Sequence, residues 1–143
     1  MPLLDTISLK IPTKFQYLSV VSGTLQALCA YHPAMSHRPD VCYNLQLAIH
    51  EACANVIEHA YQSDESQMFE LDIEIWEYPA RLVIKIRDRG RSFDPEMIPQ
   101  PALGKPQVRG FGMFLMQNLL DQVSYETLDS VNCWTLVKNF EEL

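Results

Sequence analysis

The 143-residue sequence predicts an α+β fold, a two-layer sandwich in which a mixed, mostly antiparallel sheet carries helices on one face. Two patterns predict it. Five short segments alternate apolar and polar residues with the period of half-buried strands, and three longer segments repeat apolar residues at helical spacing. Residues 1–143 are expected to form a single domain, because a chain of this length buries a real core and leaves little room for a second.

In chain order, Thr6 to Ile11 reads as a strand, and Lys14 to Tyr31 as a helix that stops at the His32-Pro33 break. His32 and His37 are then expected in a solvated loop. Asp40 is the expected N-cap of a second helix, Val41 to about Gln62, in which Leu45, Ala48, Ala52, Val56 and Ala60 recur on one face. Phe69, Leu71, Ile73 and Ile75 alternate with Glu70, Asp72 and Glu74, giving a strand with an acidic outer face. Tyr78-Pro79-Ala80 turns it into Arg81 to Arg87, so the two strands read as a hairpin. Asp88 to Arg109 breaks the pattern with Gly90, Pro95, Pro99, Pro101, Gly104 and Pro106, and long loops of this kind usually carry function. A helix from about Gly110 to Asp121 and strands at Val123 to Glu126 and Asn132 to Lys138 close the chain. Trp76 and Trp134 fall on strands, where packing is their expected role. Leu9, Ile11, Phe15 and Leu18 suit either the core or an interface.

Composition narrows the function. The net charge is −7, with 11 Lys plus Arg against 18 Asp plus Glu, so no surface built for nucleic acid or anionic lipid is expected. The N-terminus has no signal-peptide pattern, and no stretch supplies the roughly 20 apolar residues of a membrane span. Cys29, Cys42, Cys53 and Cys133 are scattered without a CxxC pair and are expected as reduced thiols in a cytoplasm.

Three constellations carry possible chemistry. Glu51 and Asn55, four apart, place a carboxylate and an amide on one helix face; taken alone they read rather as surface polar positions of an amphipathic helix. Asp88 follows directly on an apolar strand, two residues before Gly90, where a carboxylate can accept from an exocyclic amine or simply close a turn. Gly110 and Gly112 open a helix, where free amides bind phosphate or merely start the helix. Zinc is not supported: His50-Glu51 begins an HExxH motif, but Ala54 occupies the position of the second histidine.

In order, these signals resemble the Bergerat ATP-binding fold of gyrase, the 90-kDa heat-shock chaperones, histidine kinases and mismatch-repair ATPases. More narrowly, HEACANVIEHAY, DRGRSFDP and RGFGMFLMQNLLDQVSYE resemble the anti-sigma-factor serine/threonine-protein kinases of bacterial stress and sporulation control. The resemblance implies ATP with Mg²⁺, Glu51 as general base and Asn55 as the metal-ligating amide. It implies Asp88 as acceptor of the adenine amine, Gly90 as room for the base, and Thr135 near adenine. It further implies a lid from Pro95 to Arg109, Arg109 as a phosphate contact, and phosphate-binding amides at Gly110 and Gly112. Ser92 replaces a frequent glycine, and Val131-Asn132-Cys133-Trp134 lacks the glycine usual before the last-strand threonine. The implied activity is phosphorylation of an anti-anti-sigma (STAS-type) protein, with sequestration of a sigma factor and a homodimeric state. The alternative is a non-catalytic ATP-binding module that controls partner docking. A histidine-kinase module with a separate acceptor is disfavoured, because no dimerisation helix pair with an exposed histidine precedes the three motifs.

Overall fold

The computed structural model describes residues 3–92 and 111–140. Strand β1 (Leu3–Pro12) leads through a short 3₁₀ turn (Phe15–Tyr17) into α1 (Leu18–Tyr31), α2 (Pro33–Ser36) and α3 (Pro39–Asn55). A π-helical turn (Val56–Ala60) extends α3, and the hairpin β2 (Met68–Trp76) and β3 (Arg81–Asp88) follows. Helix α4 (Phe111–Leu119) and the hairpin β4 (Gln122–Leu128) and β5 (Val131–Asn139) complete the fold.

The strands form one sheet in the order β1-β2-β3-β5-β4. The sequence predicted a mixed, mostly antiparallel sheet, and every pairing among the described residues is antiparallel: β5 returns beside β3 with Asp88 opposite Asn132 and Lys85 opposite Thr135. Alternation decides which side chains meet the helices. Phe69, Leu71, Ile73, Leu82, Ile84, Ile86, Trp134 and Leu136 point inward and pack with Leu25, Leu45, Ile49 and Met116 of α1, α3 and α4. Burying such a side chain is worth enough that Leu45→Ala is expected to cost about 2–5 kcal/mol.

The outer face carries the acidic residues of β2, neutralised across the hairpin. Lys85 Nζ lies 3.1 Å from Glu74, and Arg87 reaches Asp72 at 2.5 Å and Glu70 at 3.9 Å. Trp134 joins the core as expected, whereas Trp76 lies on this outer face under the Arg81 guanidinium, 4.9 Å from its ring centre. Ile11 and Leu18 are core, Leu9 packs at its margin, and Phe15 is exposed.

Three local expectations are corrected. Asp40 is not the N-cap of α3; Pro39 takes the first helical position, Arg38 precedes it without a side-chain cap, and Asp40 lies within the first turn. Proline suits that position because its missing N–H would be unpaired there anyway. The residues after α1 are not all loop: His32 Nδ1 accepts from Ala34 N at 3.3 Å and caps α2, although His37 is exposed as expected. The long helix does not run uniformly to Gln62, since its last turn widens and ends at Ala60 before Gln62 and Ser63 take positive φ. All four cysteines are free. Among the described residues, no helix is long and apolar enough to cross a membrane.

Candidate functional site

Asp88 ends β3 on its helix-facing side and is 4% exposed, an unusual place for a carboxylate. Its Oδ1 accepts from Gly90 N at 2.9 Å and from Asn132 Nδ2 at 2.8 Å. No described residue donates to Oδ2. Burial pushes the Asp88 carboxyl above its ordinary range, while the bonds from Asn132 and Gly90 pull the other way. A buried carboxylate with one oxygen saturated and the other open is a directional acceptor for an N–H group.

Glu51 and Asn55 occupy the last two turns of α3, both partly buried. Among the described residues, neither side chain has a hydrogen-bond or ion-pair partner, so a carboxylate and an amide oxygen are available one helical turn apart. The π turn that follows fastens this helix to the segment after Asp88. Ala60 O accepts from Arg91 N at 2.7 Å, and Tyr61 Oη accepts from Arg89 N at 2.8 Å while donating to Met68 O at 3.1 Å. Gly90 fits this junction because a Cβ there would collide with the Ala60 carbonyl. The structure therefore supplies a backbone-packing reason for Gly90, beside the room for a base that the family resemblance implied.

The remaining predicted residues divide. Gly112 is the second residue of α4, which packs against α3, so its amide is among those lacking an intrahelical acceptor. Arg109, Gly110 and the Pro95 to Arg109 segment lie outside the described residues. Thr135 is not brought to Asp88. It lies three residues from Asn132 along β5, opposite Lys85, and therefore on the outer face of the sheet.

Asn132 is the residue that sequence reasoning passed over. It is fully buried, directly opposite Asp88, and holds both Asp88 and Gly90 O; its own Oδ1 accepts from Ser92 Oγ at 2.9 Å and Thr127 Oγ1 at 2.7 Å. The signal was available in the alternation. Asn132 shares a strand face with Trp134 and Leu136 and is the polar member of that set.

Comparison with known proteins bears on this arrangement. Residues 14–138 match the family model described as the histidine kinase-like ATPase domain. The chain belongs to that family. Within it, the chain is 30% identical over 136 residues to a serine-protein kinase RsbW of Bacillus pumilus, covering 89% of this chain and 82% of that one. It is 34% identical over 127 residues to the serine-protein kinase RsbW of Oceanobacillus iheyensis, covering 83% and 77%. The RsbW of Bacillus subtilis is 27% identical over 135 residues, with 89% and 81% covered. Among solved structures, the RsbU and RsbW domains of a Mycobacterium tuberculosis protein superimpose with a TM-score of 0.67 at 15% identity, over 94% of this chain and 32% of that one. The fold is thus that of a histidine kinase-like ATPase domain, an α+β sandwich with an open antiparallel sheet.

Proposed function

We propose that this chain is an ATP- and Mg²⁺-dependent serine/threonine-protein kinase that sequesters a sigma factor and phosphorylates an anti-anti-sigma protein of the STAS type. The observation that carries it is the junction at the end of β3, where buried Asp88 presents one open oxygen and the Ala60 to Arg91 bond ties that strand end to the helix of Glu51 and Asn55. The name serine-protein kinase borne by relatives about 30% identical supports the chemistry.

In this reading Asp88 Oδ2 accepts the exocyclic amine of adenine, and Asn55 contributes an amide oxygen to Mg²⁺. The donor set suits that ion. Among the described residues no group of three or more His, Cys, Asp or Glu side chains forms a metal cage, and Mg²⁺ characteristically takes few protein ligands and completes its shell with phosphates and water. When bound, Mg²⁺ would neutralise charge on the transferring phosphoryl group. Glu51 takes the proton of the substrate serine or threonine as its oxygen bonds to the γ-phosphorus and the bond to ADP breaks. The amide of Gly112, and the masking of charge by Arg109, serve the phosphates.

A homodimer and a cytoplasmic location belong to the same proposal. Among the described residues, edge strand β1 pairs only with β2 and exposes Leu3 and Leu4, which leaves a backbone edge for a second copy. Sedimentation of the purified protein distinguishes dimer from monomer directly.

The test of the activity is phosphoryl transfer from labelled ATP to the cognate antagonist. Glu51→Gln is expected to abolish transfer and leave ATP affinity within a few-fold of wild type. Transfer at the wild-type rate in that variant removes Glu51 from the chemistry. Tight ATP binding by the wild type with no transfer to any partner establishes the non-catalytic docking module instead.

A further inference from the structure

We propose that Asn132 is the positioning residue of purine readout: it locks the Asp88 carboxylate in one orientation, so that discrimination for a 6-amino purine depends on a side chain that never touches the ligand. This rests on the reading of Asp88 as the acceptor of the adenine amine. A side-chain amide has two N–H donors and an oxygen with two lone pairs, and all four are committed inside the protein. Nδ2 donates to Asp88 Oδ1 at 2.8 Å and to Gly90 O at 3.0 Å; Oδ1 accepts from Ser92 Oγ at 2.9 Å and Thr127 Oγ1 at 2.7 Å. Asn132 has no capacity left for a nucleotide, and it is fully buried. Its effect on a ligand must pass through Asp88.

The same bonds fix which way round the amide lies. Its nitrogen faces two oxygens that can only accept and its oxygen faces two hydroxyls, so rotating it by half a turn would set oxygen against the oxygens of Asp88 and Gly90 and lose both of those bonds. The terminal torsion of an aspartate is otherwise broad, which would let the plane of its carboxylate swing. With Asn132 and Gly90 N both donating to one oxygen, Oδ1, that plane is held and the other oxygen is aimed in one direction. Ser92 and Thr127 extend the lock to the residues after β3 and to the end of β4. Both are exposed, which makes them safe places to weaken it.

The experiment compares Mg-ATP with the triphosphate of purine riboside, which lacks the 6-amine, by isothermal titration calorimetry. Wild type is expected to prefer ATP at least about tenfold, the scale of a hydrogen bond to a charged acceptor. In Asn132→Leu that preference is expected to fall to about twofold or less, while affinity for the 6-hydrogen analogue stays near its wild-type value; a general loss of structure would weaken both ligands together. The double variant Ser92→Ala, Thr127→Val removes both donors to Asn132 Oδ1 and is expected to lower the preference several-fold with little change in melting temperature. If Asn132→Leu does not fold, the double variant decides. A preference equal to wild type in the folded variant overturns the role of Asn132 and leaves the ATP reading standing. Equal affinity of the wild type for both ligands removes Asp88 as the amine acceptor, and this proposal with it.

Discussion

With Asp88 proposed as the acceptor of the adenine amine, stability and ligand binding pull in opposite directions at this residue. Burial raises its proton affinity in the native state above the unfolded value, so its contribution favours the fold below the ordinary carboxyl pKa and is lost as pH rises through the raised native one. At neutral pH the native protein therefore carries the cost of a buried charge. Asp88→Asn keeps an oxygen for Gly90 N and Asn132 Nδ2 but removes that charge. It is expected to melt higher than wild type at pH 7, with the gap closing towards pH 4 and below; a melting series across pH checks this, and a gap that widens in acid contradicts it. Gly90→Ala sets a methyl group against the Ala60 carbonyl and is expected to destabilise by about 1–3 kcal/mol in urea unfolding, the range for overpacked sites. Both residues were legible in sequence as an acid and a glycine at a strand end. Asn132 was not, because its importance depends on the register that sets it opposite Asp88, and Thr135 was named on the family resemblance although the same alternation turns it to the other face.

At the scale of elements, periodicity located every described strand and the three long helices, because each has one face that must be buried. What it missed depends on hydrogen bonds between distant segments. The end of α3 is the main case: nothing in VIEHA announces a π turn, whereas in the fold Ala60 O and Tyr61 Oη both accept from the backbone that follows β3. Widened turns of this kind recur at functional sites. Tyr61→Phe removes the acceptor of the Arg89 amide and the donor to Met68 O, and is expected to cost about 1–3 kcal/mol, the net worth of two hydrogen bonds. Faster amide hydrogen exchange at Arg89, with the core strands unchanged, would show that this clip holds the strand end to the helix. Unchanged exchange at Arg89 would show that it does not. The acidic face of β2 was read correctly in sequence, but its neutralisation by Lys85 and Arg87 needed the hairpin register.

For the whole molecule, the order of three short motifs revealed more than composition did, since each alone has an ordinary structural explanation. The fold gathers two of them at one junction, the helix of Glu51 and Asn55 and the end of β3 at Asp88, and packs the helix containing Gly112 beside the first. Such a junction makes nucleotide binding and folding mutually supporting: at a ligand concentration of one hundred times Kd, binding adds about 2.7 kcal/mol of apparent stability. Calorimetric titration of Mg-ATP into the wild-type protein and Asp88→Asn tests the site most directly. Saturable binding to wild type, weakened at least about tenfold in Asp88→Asn while that variant remains folded, is the expected result. No binding by the wild type, or equal affinity in the two proteins, would contradict it.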